Sequence, residues 1–164
     1  MNGKRLIAVA CVLWFLVALS AVGAADFTGQ VIGVLDGDTI DVLHDKKPER
    51  IQLYGIDCPE KRQPFGQKAK QAASALLFGK EVRIETHGRD KHRRTLGTVF
   101  QGEMNVNQML VKEGFCWWFS KYVPKDTVLK EFEQEAKDAK KGLWADPNPV
   151  PPWLYRRLDS GGYP

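Results

Sequence analysis

The stretch TGQVIGVLDGDTIDVLHDKKPERIQLY, residues 28–54, carries three short β-rich runs, Thr28–Leu35, Thr39–Leu43 and Glu49–Tyr54. Between the first two stands Asp36-Gly37, a hairpin signal. Working outward, Ala69, Ala72, Ala73, Leu76 and Leu77 recur at the spacing of one helical face, and Gly79 stops that helix. Val82–Thr86 and Thr95–Phe100 are again strand-like and flank a charged turn. Val106–Glu113 predicts a short helix, with Asn105 as its N-cap and Gly114 after it. A longer helix is expected over Thr127–Lys141, with Asp126 as N-cap, Leu129, Phe132, Ala136 and Leu143 facing inward, and Gly142 as its stop. Three strands, a helix, two strands and two helices make a small α+β domain. From Asp146 onward Pro147, Pro149, Pro151 and Pro152 predict an extended, proline-stiffened arm, residues 146–164, with Trp153 and Tyr155 packing back onto the domain.

The chain has 164 residues, of which 43% are hydrophobic and 27% charged. That is one domain, with enough apolar side chains for a core. No internal repeat or low-complexity segment is present, and collagen, coiled coil and disorder are excluded. The formal charge of +4 comes from 24 Lys and Arg against 20 Asp and Glu, and its sum says little about partners. Two of the cations, Lys4 and Arg5, precede an uncharged apolar run from Leu6 to Ser20 and the small residues Ala21-Val22-Gly23-Ala24-Ala25. This order reads as a secretory signal over residues 1–25, cut after Ala24 or Ala25. The alternative is an uncleaved membrane anchor, because Leu6–Ala25 just spans a bilayer. The remaining domain, residues 26–145, is then exported, periplasmic or secreted, and keeps two thiols, Cys58 and Cys116. In an oxidising compartment these either pair or serve as small buried side chains.

The chemistry-bearing residues fall in clusters. Asp36-Gly37-Asp38 crowds two carboxylates at a turn, and Asp57-Cys58-Pro59-Glu60 ends the third strand. Two such loops together supply carboxylates and a backbone carbonyl, the oxygens a hard cation prefers. Between the fourth and fifth strands, Arg89-Asp90-Lys91-His92-Arg93-Arg94 places four cations beside one acid, a charge density suited to phosphate. Acids for a metal, a spare glutamate and a cationic turn are together what phosphodiester hydrolysis requires. The aromatic run Phe115-Cys116-Trp117-Trp118-Phe119 reads first as core and lid.

At these positions the sequence resembles the staphylococcal nuclease family. Val34-Leu35-Asp36-Gly37-Asp38-Thr39, Tyr54-Gly55-Ile56-Asp57-Cys58-Pro59-Glu60, Asp90-Lys91 with Arg94, and Asn105 to Gly114 follow the family's successive motifs in order and spacing. They cover the chain from Phe27 to Trp144. The resemblance implies a five-stranded OB-type β-barrel with three α-helices, a fold that binds oligonucleotides. It further implies a Ca²⁺-dependent nuclease acting on DNA and RNA, single strands preferred, cleaving on the 5′-oxygen side to leave 3′-phosphates. A monomer without a stable protein partner is expected on the same ground.

By resemblance, Asp38, Asp57 and the backbone carbonyl of Cys58 are metal ligands, and Asp36 and Thr39 support them. Glu60 is the general base, Arg94 stabilises the transition state, Lys91 lies near the nucleotide, and Tyr122 packs at a base or sugar. One position departs from the family: Gln52 stands where a second catalytic arginine is usual. Arg50, two residues earlier on the same strand face and about 6–7 Å away, is an auxiliary phosphate contact in this reading, as is Gln52 itself. The departure keeps a second reading open, a catalytically weak or inactive OB-type nucleic-acid-binding module.

Overall fold

A computed structural model describes residues 25–161. The expected leader, residues 1–25, lies outside the described residues apart from its last residue. Among the described residues no helix is long and apolar enough to cross a membrane.

Five strands form the body: β1 (Phe27–Val34), β2 (Thr39–His44), β3 (Lys47–Leu53), β5 (Glu81–Arg89) and β6 (Thr95–Gln101). β1 pairs antiparallel with β2 and with β5, β2 with β3, and β5 with β6. A parallel pairing of β3 with β6, Ile51 opposite Thr95, closes the sheet into the barrel that the sequence resemblance implied. Closure leaves no free edge within the ring. Short strands β4 (Ile56–Asp57) and β8 (Trp117–Trp118) pair beside it, and β7 (Met104–Asn105) extends β6.

The barrel interior follows from the two-residue alternation. Val31, Ile40, Val42, Ile51, Leu53, Ile84 and Val99 are all fully or almost fully buried. α1 (Gly66–Leu77) covers it with Ala69, Ala73 and Leu77, and α2 (Val106–Lys112) with Val106, Leu110 and Val111. α3 (Thr127–Asp138) packs against α2 and buries Leu129 and Ala136. The caps are the expected ones: Asn105 accepts from Gln108 N and Asp126 from Leu129 N. α3 ends earlier than Lys141, since Lys140 already has a positive φ of 50° and a 3₁₀ turn, Gly142–Ala145, follows.

The C-terminal arm is the one element whose form differs in kind. Residues 147–151 are irregular, but Pro152 begins a helix, α4 (Pro152–Asp159). The reason is positional, because proline has no hydrogen bond to lose at a helix's first residue and its φ already suits the helix. Among the described residues there are therefore four α-helices, one more than expected. Trp153 packs onto Trp117 and Phe119, with ring centroids 5.6 and 5.4 Å away, and Tyr155 is half-buried.

Candidate active site

The turn between β1 and β2 brings the first carboxylates to the barrel surface. Leu35 N donates to Thr39 O at 2.9 Å, and Asp38 N to Asp36 Oδ1 at 3.2 Å. Gly37 is needed for space: a Cβ there would lie 2.7 Å from Cys58 Cβ and 3.0 Å from Ala69 Cβ. Pressed against that strand end, Asp38 accepts the Cys58 N–H through Oδ2 at 2.8 Å. Cys58 is in turn disulfide-bonded to Cys116, so pairing is the outcome for the two thiols. The Thr39 hydroxyl lies within reach of Asp38 Oδ1 at 3.2 Å and Gln52 Oε1 at 3.1 Å. Thr39 and Gln52 face each other across the β2–β3 ladder.

Asp38, Asp57, Glu60 and Arg94 line one cavity of about 740 Å³. Asp36, Thr39, Gln52, Lys91 and Tyr122 line the same cavity. Residues that lie up to 86 positions apart in the chain are thus brought to one place, through the turns and strand ends that their motifs occupy.

Its electrostatics are dominated by burial of negative charge. Burial first, then repulsion by Asp36 and Asp57, holds the Asp38 carboxyl well above its ordinary range, and the Cys58 N–H offsets only part of this. Asp57 is likewise raised by burial; Arg156 opposes the rise, and Glu60 and Asp36 add to it. A hard cation would relieve this repulsion. The two carboxylates and a backbone carbonyl such as that of Cys58, which lines the same cavity, would make an all-oxygen donor set of the kind that suits Ca²⁺. Among the described residues no three His, Cys, Asp or Glu side chains are already gathered around one point, so the carbonyl and solvent would complete such a site.

Glu60 sits in a loop fixed from both ends. Glu60 N donates to Gln63 Oε1 at 3.0 Å and Gln63 N to Glu60 O at 2.8 Å. Gly66, the first residue of α1, lies so close to that loop that a Cβ would collide with the Glu60 carbonyl. On the opposite loop Asp90 organises the cationic turn. Its Oδ1 accepts from His92 N and Arg94 N, both at 2.9 Å, and its Oδ2 from Arg94 Nε at 2.7 Å. The bond to Asp90 uses Nε alone and orients the guanidinium. Tyr122 is 61% exposed and packs on Phe119, ring centroids 4.8 Å apart.

Two residues stand apart from expectation. Arg50 is not brought to this cavity: it lies opposite Asp41 in the β2–β3 ladder and holds it through two hydrogen bonds, Nε to Oδ1 at 2.9 Å and Nη2 to Oδ2 at 3.1 Å. It lines a separate recess of about 470 Å³ with His44, Lys47 and Arg93. In its place comes Arg156, a residue that sequence reasoning passed over. Its guanidinium grips Asp57 at 2.6 and 3.1 Å and Glu60 Oε1 at 2.6 Å. The available signal was Trp153 three residues earlier, an aromatic anchor on the same helical face.

Comparison with known proteins bears on this arrangement. The family model "Staphylococcal nuclease homologue" matches residues 50–146. The chain is 40% identical over 163 residues to "Micrococcal nuclease" of Shigella flexneri, covering 93% of this chain and 92% of that protein. It is 44% identical over 133 residues to an "Uncharacterized endonuclease" of Escherichia coli O157:H7, covering 80% and 86%. "Protein ParB" of Escherichia coli is 41% identical over 143 residues, 81% of each chain.

Proposed function

Because this chain belongs to the staphylococcal nuclease family, and so is an enzyme of the nuclease class with nucleic acid as its substrate, we propose that it is a Ca²⁺-dependent phosphodiesterase. It hydrolyses DNA and RNA, preferring unpaired strands, and breaks the bond on the 5′-oxygen side to leave 3′-phosphates. It works as an exported monomer, with residues 1–25 as its signal. The observation that carries the reading is the convergence of Asp38, Asp57, Glu60 and Arg94 on one cavity.

Asp38, Asp57 and the Cys58 carbonyl would hold the ion, which Asp36 helps to orient. An ion held there would supply positive charge against the negative charge that builds on the phosphoryl group in the transition state. Calcium acidifies water poorly, so a carboxylate must take the proton of the attacking water, and Glu60 Oε is that acceptor. Arg94 donates its guanidinium N–H groups to the phosphoryl and leaving oxygens, with Asp90 fixing its direction. Lys91 lies beside the phosphate path, and Tyr122 with Phe119 offers a face on which an unpaired base stacks.

Gln52 favours one competing reading, a barrel that binds nucleic acid and cleaves it slowly or not at all. The test is to incubate the purified protein with end-labelled single-stranded DNA and RNA, in Ca²⁺ and in chelator. Cleavage in Ca²⁺ alone, with products whose 3′ ends need phosphatase treatment before extension, is the expected result. Cleavage in chelator contradicts the mechanism, and binding without cleavage favours the competing reading.

A further inference from the structure

The C-terminal helix places a cation where the proposed metal site needs one. Arg156 Nη2 donates to Asp57 Oδ2 at 2.6 Å and Nη1 to Asp57 Oδ1 at 3.1 Å, and Nη1 reaches Glu60 Oε1 at 2.6 Å. Both Asp57 oxygens and one oxygen of Glu60 are therefore engaged. Asp57 is buried, its side chain only 8% exposed, and a buried carboxylate demands a counter-charge. Arg156 provides it.

The contact is not that of a loose side chain. Trp153, one helical turn earlier, packs on Trp117 and stacks on Phe119. Ahead of the helix, the Val150 carbonyl accepts from Gln63 Nε2 at 2.6 Å. Gln63 is buried, and its Oε1 holds the Glu60 N–H. The segment from Val150 to Arg156 is thus fastened to the same loop that carries Glu60, and its guanidinium closes over both acids.

We propose that Arg156 is an internal competitor for the metal: its guanidinium holds Asp57 and Glu60, and Ca²⁺ binding displaces it together with the docking of α4. This rests on the reading of Asp38 and Asp57 as the metal ligands. A guanidinium on both Asp57 oxygens takes one lone pair of each and sets a positive charge beside the place of the ion, so binding of the ion and docking of Arg156 oppose each other. Linkage makes the opposition reciprocal: the docked helix weakens the ion's binding by the factor by which the ion weakens docking. Release also frees Glu60 Oε1 from the guanidinium. Arg156 then sets the calcium concentration at which the site turns on.

Calorimetric titration of Ca²⁺ into the wild-type protein and into Arg156→Gln tests the proposal, with thermal melts confirming that both are folded. The variant should bind Ca²⁺ roughly tenfold more tightly, and Arg156→Lys, which keeps the charge but loses the fork, should fall between. In the unsubstituted protein, amide hydrogen exchange over residues 152–159 should quicken when Ca²⁺ is added. Equal or weaker binding by Arg156→Gln overturns the proposal, as does exchange in α4 that is unchanged or slowed by Ca²⁺. If neither protein binds Ca²⁺, the metal-site reading fails and the proposal falls with it, an outcome distinct from equal affinities.

Discussion

Asp38 and Cys58 are joined by a hydrogen bond, Cys58 N–H to Asp38 Oδ2 at 2.8 Å, that ties the β1–β2 turn to the end of β4 twenty residues away. Because Asp57 immediately precedes Cys58, the bond holds two buried carboxylates together against their repulsion. Burial and that repulsion raise the Asp38 carboxyl well above its ordinary value of 3.8. A carboxyl raised on folding holds its proton more tightly in the folded state. Its stabilising contribution is therefore present at low pH and is lost as pH rises through the folded value. At neutral pH, where the unfolded carboxyl is ionised, burying Asp38 costs stability, and Asp38→Asn removes that cost while retaining an oxygen for the Cys58 N–H. Without metal, Asp38→Asn should melt at least roughly 3 °C higher than the parent at neutral pH. The difference should shrink as pH falls, and Ca²⁺ binding should be lost. Thermal melts across pH, with calorimetric titration of Ca²⁺, check this; a lower melting temperature at neutral pH contradicts it.

The disulfide between Cys58 and Cys116 closes a long loop, its cysteines 58 residues apart, and it anchors the residue whose carbonyl is assigned to the metal. Cross-linking a loop of that length is worth about 4 kcal/mol on the chain-entropy model. Replacing both cysteines with alanine should cost about that much in urea unfolding, and should weaken Ca²⁺ binding because Cys58 is then less firmly held. Unchanged stability after removal of both sulfurs would speak against this role.

Gln52 is the uncharged residue at a position where the family usually carries arginine, and here it faces Thr39 beside Asp38. Gln52→Arg adds a cation directed at the cavity and should raise kcat several-fold at saturating Ca²⁺. Steady-state cleavage of single-stranded DNA measures it. No gain, or a loss, means that Gln52 is not what limits the rate.

Most of the candidate site's residues were legible because they sit inside local signatures. Asp36, Asp38, Asp57, Glu60 and Arg94 each occupy a turn or strand end whose form depends on neighbours in sequence, and the barrel then gathers those ends. Arg50 shows the limit of alternation: it shares a face with Gln52, yet the residue opposite it in the ladder is Asp41, which claims its guanidinium. Arg156 lay beyond local reasoning for another reason. It meets Asp57 across 99 residues, through a helix whose start among four prolines reads as an extended arm. The docking of Trp153 on Phe119 brings it there; Trp153 marks the anchor, but nothing periodic in the sequence shows which residue of the arm it delivers to the site.

Glu60 is assigned to take the proton from the attacking water, and single-turnover cleavage by Glu60→Gln puts that role to the test. With labelled single-stranded DNA, saturating Ca²⁺ and enzyme in excess, the variant should cleave about 10² to 10⁴-fold more slowly than the parent. It should still bind Ca²⁺ and DNA. A rate within about threefold of the parent would contradict the assignment.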